Sequence, residues 1–460
     1  MMFDLIIKNG VCVIPKVGVK EADLAIHDGR IAAILERGAV DAEAAQEIDA
    51  AGKYIFPGVI DPHVHYGFYN KLEDDFYQQT NAAAIGGITS VVMYYRGGES
   101  YHKYAPWLIS TGEKSSALDF AFSFGIMTNQ HLSEVEDIIS RYGVTSFKHY
   151  RNYQGKLQGM FNTEDALRYD SADLLDIMRK LTAISPKLLL CCHCENPDMI
   201  DNFERKYGDV KDNNTLKFHS AMRPDYVETD SALQTMYINH VANGKLYIVH
   251  LSAGSSVEMM EKTPWLMENV TVETTPHYLT LNENSPCGIL AKVLPAVHTE
   301  KDSEKLWEGI RKGIVTTIGS DTNPSTLAVK FSRGTNAWDT LPAFPNAGVI
   351  LPILLSEGYH KRGIPLQTVA EISSYNIAKA FHLTGKGDIA VGCDADLNIV
   401  DLELSRVVKP DIFGDSDYSV YDGMEWKGWP VMTISRGEVI VKDGKSSAHP
   451  GRGRYIKRTI

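Results

Sequence analysis

Short apolar runs alternate with longer segments of helical periodicity through the middle of the chain. Each run has the composition expected of a buried strand. Eight such runs are present, at residues 59–61, 89–93, 120–124, 145–148, 188–192, 246–249, 270–273 and 315–318. Strands that alternate with helices form a parallel sheet, and eight strand–helix repeats close into a barrel. The pattern therefore predicts an α/β fold built on a (β/α)8 TIM barrel.

The two ends of the chain carry a different, β-rich pattern. Residues 5–7 and 11–14 are strand-like and flank Asn9-Gly10, which we interpret as a turn, and residues 27–30 indicate a second hairpin. Towards the other end, strand-like segments occur at residues 395–400, 431–434 and 439–441. Two β-rich ends around a long middle predict one small β-sandwich domain built from both termini.

These patterns divide the chain into three parts. We expect residues 1–55 and 388–445 to form the small β-sandwich domain and residues 56–387 to form the barrel. Residues 446–460 form a basic, glycine-containing arm. We expect this arm to lie on the surface or on a neighbouring subunit.

Composition narrows the class of protein. The chain has 460 residues, of which 44% are hydrophobic, six cysteines and a net charge of −12. The hydrophobic fraction is typical of globular proteins, and the acidic balance disfavours nucleic acid or an anionic membrane as a partner. The N-terminus does not resemble a secretory signal, and no segment reaches the roughly 18 apolar residues of a membrane span. We therefore expect a cytoplasmic protein without a disulfide scaffold.

Side chains that can bind a metal follow five of the eight predicted strands. They are His63, His65, Lys148, His193, His250 and Asp321. Their strands are the first, fourth, fifth, sixth and eighth, and barrel active sites are built at the C-terminal ends of the strands. Because strand ends converge around a barrel, this spacing predicts a metal-dependent hydrolase.

Two of these residues leave alternatives open when they are considered alone. A buried lysine can lose its proton and add carbon dioxide, which would make Lys148 a carbamate that bridges two cations. Lys148 could equally be a strand-end lysine paired with a carboxylate. Asp321 could accept a proton from a water held between two metal ions and pass it to a leaving nitrogen, or it could cap the helix that follows.

Several longer motifs resemble those of the amidohydrolase superfamily, in particular its dihydropyrimidinase, hydantoinase and allantoinase group of cyclic amidases. The resemblance covers nearly the whole chain. The motifs that carry it are residues 56–65 (FPGVIDPHVH), 74–76 (DDF), 84–90 (AIGGITS), 193–196 (HCEN), 275–279 (TPHYL) and 421–431 (YDGMEWKGWPV).

The resemblance implies a binuclear centre with two Zn²⁺ ions. His63, His65 and Asp321 would hold one zinc, and His193 and His250 would hold the other. Lys148, as N6-carboxylysine, would bridge the two ions.

The resemblance also implies residues that bind the substrate. Tyr153 stands five residues after the lysine, where relatives have a tyrosine that polarises the substrate carbonyl. Relatives hold the amide ring through backbone groups of a serine and an asparagine. Asn346 matches the asparagine, and Leu294 replaces the serine. We expect a small cyclic amide as substrate and a homotetramer or homodimer as the assembly.

Departures from the family pattern leave the substrate open. Thr322-Asn323 follows Asp321 where relatives usually have a histidine, and residues 331–339 do not match the common pattern. The alternatives are a dihydropyrimidinase or hydantoinase, an allantoinase, or a cyclic imide hydrolase. A dihydroorotase is disfavoured because Tyr66 and its neighbours stand where those enzymes usually have an arginine. A non-catalytic scaffold is disfavoured because every ligand type is present.

Overall fold

The protein is described from a computed structural model, which covers residues 2–39, 43–414 and 416–460. The strands are β1 Phe3–Ile14, β2 Gly18–His27, β3 Arg30–Leu35, β4 Ala44–Asp49, β5 Tyr54–Pro57, β6 Val59–Val64, β7 Ile88–Tyr95, β8 Asp119–Gly125, β9 Ser146–Tyr150, β10 Leu189–His193, β11 Lys245–Ile248, β12 Val270–Thr274, β13 Thr317–Ile318, β14 Leu397–Val407, β15 Glu425–Ser435, β16 Glu438–Lys442 and β17 Lys445–Ser446.

Most of the α-helices lie in the segments that connect consecutive strands of the central barrel along the chain. They are α1 Leu72–Ile85, α2 Tyr101–Ser115, α3 Asn129–Tyr142, α4 Leu157–Phe161, α5 Ser171–Ile184, α6 Pro197–Tyr207, α7 Leu216–Met222, α8 Asp225–Ala242, α9 Gly254–Lys262, α10 Pro276–Thr280, α11 Glu300–Arg311, α12 Leu327–Lys330, α13 Ile350–Ile353, α14 Leu366–Ala370 and α15 Asn376–Ala380. Two π-helical turns, Leu354–His360 and Glu371–Tyr375, lie in the last helical region.

Eight parallel strands, β6 to β13, form the barrel in sequential order. All eight predicted strands are therefore confirmed. A parallel bridge between Val64 and Thr322 brings the first strand next to the segment after the last, and the His65 amide donates to the Thr322 carbonyl at 2.9 Å. Because all strands run in the same direction, their C-terminal ends share one rim.

Strands from both chain ends form a second, mostly antiparallel sheet, as the sequence predicted. Its order is β17-β16-β15-β14-β5-β1-β2-β3, with β4 paired to β1. The sheet has its own apolar core, which combines side chains from both ends, including Leu24, Ile26, Leu397 and Ile434. The hairpin predicted at residues 27–30 joins β2 and β3.

The turn predicted at Asn9-Gly10 is wrong. Both residues lie inside the single strand β1, where the pairing with β2 shifts register between Ile7 and Gly10. Asn9 has a φ of 64°, and a Cβ on Gly10 would lie 2.4 Å from the Ile55 side chain. An Asn-Gly pair suits a β-bulge as well as a turn. In both, asparagine can adopt a positive φ, and glycine lets a neighbouring chain come close to the backbone.

The basic arm packs against its own barrel. The Ile456 amide donates to the Phe120 carbonyl at 2.7 Å, and the Arg458 guanidinium donates to Ser146 Oγ at 3.0 Å. Arg458 is 2% exposed. The expectation of a surface arm is confirmed for Arg454, which is exposed. It is wrong for Arg458, whose buried guanidinium donates hydrogen bonds to Ser146 and Phe122 of the barrel strands.

Among the described residues, no helix combines the length and apolar character needed to cross a bilayer.

Candidate metal centre and active site

The barrel strands bring the six predicted ligands to one rim. His63 lies in β6, Lys148 lies in β9 and His193 ends β10. The other three, His65, His250 and Asp321, follow the ends of β6, β11 and β13. Local backbone geometry also marks this rim, because His250 has a φ of 41° and Asp321 has a φ of 51°. Such left-handed conformations in residues other than glycine are costly and concentrate at functional sites.

One group of ligands consists of His63, His65 and Asp321. Asp321 Oδ1 lies 3.4 Å from His63 Nε2 and 3.3 Å from His65 Nε2. The three donor atoms are mutually close enough to hold one metal ion. Nitrogen and carboxylate donors of this kind suit Zn²⁺. The alternative that Asp321 caps the next helix does not hold, because Thr326 caps α12.

The second group consists of two histidines. His193 Nδ1 and His250 Nε2 lie 2.9 Å apart, and both side chains are buried. Burial lowers the pKa of both imidazoles. Neutral imidazoles are the form that binds metal, so this pair fits a second ion.

Lys148 lines the same cavity as these two groups of ligands. Its side chain is buried, and within the described residues its Nζ atom has no acceptor. Burial lowers the pKa of Lys148. The centroids of the Tyr94 and Tyr150 rings lie 4.7 and 5.2 Å from Lys148 Nζ. A buried amine with a lowered pKa and no partner among the described residues, beside two groups of metal ligands, fits a carbamate better than a lysine paired with a carboxylate.

Buried glutamates hold the histidines from behind, and the sequence reasoning did not identify them. Glu273 Oε1 lies 2.8 Å from His63 Nδ1 and accepts the His250 amide at 2.9 Å. Glu195 Oε2 lies 2.7 Å from His193 Nε2, and its other oxygen accepts from Arg223 at 2.7 Å. Such partners fix the tautomer and orientation of ligand histidines. Glu195 could have been found from its place in the HCEN motif, whereas Glu273, one residue before the end of β12, carries no comparable signal.

Tyr153 faces the same cavity, where a 3₁₀ turn follows β9. Its hydroxyl accepts a hydrogen bond from Arg96 Nη1. Because the phenol oxygen accepts from Arg96, its own proton is free to be donated to another group. The structure therefore places the predicted carbonyl-polarising tyrosine at the cavity and adds Arg96, which the sequence reasoning missed.

The two remaining predicted residues occupy different positions. Leu294 lines the cavity. Asn346 is buried behind the cavity wall, where its Nδ2 donates to the Ser320 carbonyl at 2.6 Å and its Oδ1 accepts from Tyr421 at 2.9 Å. The wall position near it belongs to Asn323, whose Oδ1 is buried and unpartnered within the described residues.

The cavity encloses about 130 Å³. Besides the ligands, its lining combines aromatic rings, among them Phe68, Tyr69 and Phe344, with the polar groups of Arg96, Tyr153 and Asn323. Pockets for drug-sized ligands enclose roughly 300–1,000 Å³, so this one suits a small ring. The arrangement can hold a small molecule against two metal ions with a carboxylate and a phenol beside it.

Known proteins share this architecture. The model of the amidohydrolase family matches residues 54–440. The chain is 33% identical to a D-hydantoinase of Geobacillus stearothermophilus, over 98% of this chain and 96% of that protein. It is 31% identical to an allantoinase of Rubrobacter xylanophilus, over 99% of this chain and 98% of that protein. The crystal structure of a dihydropyrimidinase from Brevibacillus agri matches with a TM-score of 0.88 and 28% identity, over 99% of this chain and 98% of that one.

Proposed function

The chain belongs to the amidohydrolase family, and from that premise we propose that it is a hydrolase that opens the ring C–N bond of a small cyclic amide. The observation that carries this proposal is the convergence of four histidines, Asp321 and Lys148 at one barrel rim, with Lys148 lacking a hydrogen-bond partner among the described residues. A reaction of the dihydropyrimidinase or hydantoinase type agrees with the names of several relatives. A second candidate, the allantoinase reaction, is supported by the relative from Rubrobacter xylanophilus.

We propose two Zn²⁺ ions as cofactors. His63, His65 and Asp321 would hold one, His193 and His250 the other, and Lys148 as N6-carboxylysine would bridge them. When bound, a pair of divalent ions supplies Lewis-acid activation of water and of the carbonyl group.

The protein's own side chains have separate tasks in this proposal. The Asp321 carboxylate accepts a proton from the attacking water and passes it to the departing ring nitrogen. The Tyr153 hydroxyl donates to the carbonyl oxygen as negative charge develops there. Leu294 and Asn323 line the wall against which the ring lies. Asn346, the asparagine expected to contact the ring, supports that wall through its hydrogen bond to the Ser320 carbonyl.

We propose a cytoplasmic homotetramer or homodimer in which residues 56–387 form the catalytic barrel, residues 1–55 and 388–445 form the small domain, and residues 446–460 form the arm. The acidic balance of the chain, with a net charge of −12, supports a small-molecule substrate and no nucleic-acid or membrane partner.

A substrate screen tests the proposed reaction. The full chain, purified with zinc and bicarbonate, is assayed for ring opening of dihydrouracil, dihydrothymine, hydantoins, allantoin and cyclic imides, and its metal content is measured in parallel. We expect stoichiometric zinc and turnover of at least one of these rings. A protein that purifies without zinc and opens none of them would instead be a non-catalytic scaffold.

A further inference from the structure

Arg96 places a positive charge in the cavity that the reaction described above does not require. It is the first residue after β7, the second barrel strand, and its side chain lines the same cavity as His65, Lys148 and Asp321. The end of a barrel strand is where residues that contact the substrate are usually found. Arg96 therefore stands where it can contact a bound ring.

Aromatic side chains hold the Arg96 guanidinium in a fixed position. Its central carbon lies 4.5 Å from the centroid of the Phe68 ring, 5.2 Å from that of Tyr153 and 5.5 Å from that of Tyr150. Cation–π contacts of this kind stabilise a guanidinium without neutralising it. The Arg96 charge is thus well positioned and still available to an anion.

Most of the hydrogen-bonding capacity of Arg96 is unused. A guanidinium has five N–H donors in a planar fork. Within the described part of the chain, its hydrogen bond goes to the Tyr153 hydroxyl, and no carboxylate forms an ion pair with it. The nearby Asp321 carboxylate is directed at His63 and His65.

The charge balance of the cavity favours an anionic ligand. Asp321 and Glu273 are directed at the ligand histidines, so the positive charge of Arg96 has no carboxylate partner among the described residues. Arg96 is half-buried, so its charge is partly desolvated, and a ligand that supplies a counter-ion compensates for that cost.

We propose that Arg96 binds a carboxylate substituent on the cyclic amide, so that the preferred substrate carries a negative charge beside the ring that is opened. This inference rests on the proposed ring-opening function and names its substrate class. The planar guanidinium fork suits a carboxylate, with which it can form two parallel hydrogen bonds. A competing role for Arg96 is to orient the Tyr153 hydroxyl alone, without touching the substrate.

The test compares two ring compounds of nearly equal size, hydantoin-5-acetic acid and hydantoin-5-acetamide. Values of kcat/KM are measured with the zinc-loaded full chain as wild type, Arg96→Gln, Arg96→Lys and Arg168→Gln. Arg168 is the matched control because its side chain is 84% exposed and lies outside the cavity lining. Titration calorimetry on zinc-loaded Asp321→Asn, with and without Arg96→Gln, measures binding of both compounds while turnover is blocked.

We expect the wild type to prefer the acid to the amide. Arg96→Gln should reduce kcat/KM and binding for the acid by about 10- to 100-fold more than for the amide, as a charge-assisted hydrogen-bonded pair implies. Arg96→Lys should recover part of the preference, and Arg168→Gln should leave it unchanged.

Two results would overturn the inference. The first is a wild type that prefers the amide. The second is an equal loss of kcat/KM for both compounds in Arg96→Gln, which would limit Arg96 to orienting Tyr153. Failure of the proposed function looks different, because then neither compound is opened. Calorimetry still decides the inference in that case, since a preference for the acid that depends on Arg96 supports it and the lack of one contradicts it.

Discussion

At the scale of single residues, the candidate site depends most on Lys148. Its amine is buried among imidazoles and has no partner within the described residues, so removing it would leave both groups of ligands without a bridge. We expect Lys148→Ala and Lys148→Arg to lose most bound zinc and nearly all ring opening, because neither side chain can form a carbamate. Metal analysis and turnover assays measure both effects. Lys361→Ala, at an exposed lysine, serves as the control. Full activity in either Lys148 variant, without an added carboxylic acid, would refute the bridging role.

Tyr153 allows metal binding and catalysis to be separated. Its hydroxyl is the predicted donor to the carbonyl oxygen, and among the described residues its hydrogen bond is with Arg96 and not with a metal ligand. We expect Tyr153→Phe to keep its zinc and to lose about 10²–10³-fold in kcat, as is typical when one oxyanion donor is removed. Tyr237→Phe, at an exposed tyrosine, is the control and should retain full turnover. Unchanged turnover in Tyr153→Phe would reduce Tyr153 to a packing residue.

The sequence alone identified the candidate metal ligands at the strand ends. It did not identify the residues that hold those ligands and Tyr153 in position. His63, Lys148 and His193 could be found because each directly ends or follows an apolar run. Glu273 contacts His63 from a residue 210 positions away, and Arg96 meets Tyr153 from 57 positions away. Contacts of that range depend on how neighbouring strands pair, which a single sequence does not reveal.

At the scale of elements, α7 supports one wall of the cavity through a histidine. His219 on α7 is buried, and its Nε2 lies 3.0 Å from the carbonyl oxygen of Val293, next to Leu294. Burial, with help from Lys292 and Arg223, lowers the pKa of His219 from 6.5 to about 3. The folded protein therefore binds fewer protons at this site than the unfolded chain between pH 6.5 and 3, and stability is lost as the pH falls through that window.

His219→Gln tests this dependence on pH. Glutamine can still donate to the Val293 carbonyl but does not titrate. We expect the wild type to lose on the order of 2 kcal/mol more stability than the variant between pH 6.5 and 5, at about 1.4 kcal/mol per pH unit. Urea unfolding at the two pH values measures the difference, and the exposed His449→Gln is the control. Equal losses in the wild type and His219→Gln would show that His219 does not titrate in this way.

Elements also show where pattern reasoning fails. The barrel strands were predictable because each is buried on both faces and reads as a continuous apolar run. The bulge at Asn9 was not, because the same dipeptide serves turns and bulges. The long pairing of β1 with β2 and the close approach of Ile55 to Gly10 favour the bulge over the turn.

At the scale of the whole molecule, a buried charge network joins the barrel to the sheet from the chain ends. Lys386 Nζ lies 2.7 Å from Asp119, 2.9 Å from Asp394 and 2.7 Å from Asp396. Asp119 begins the third barrel strand, whereas Asp394 and Asp396 precede β14 of the other sheet. The three carboxylates could be taken for a metal site, but Lys386 occupies the place of a cation.

Removing Lys386 should therefore weaken the attachment of one sheet to the other. Lys386→Met keeps most of the side-chain volume. It leaves Asp119 with Arg436 and Asp394 with the exposed Arg30, whose Nε lies 3.7 Å from Oδ1. Removing one partner of a buried ionic network typically costs about 3–5 kcal/mol, because uncompensated charges stay buried. We expect a loss of that size in urea unfolding. Lys427→Met is the matched control, since its ion pair with Glu403 is exposed and such pairs contribute about 0–1 kcal/mol. If both variants lose the same small amount, the network does not hold the two sheets together and their apolar contacts alone do.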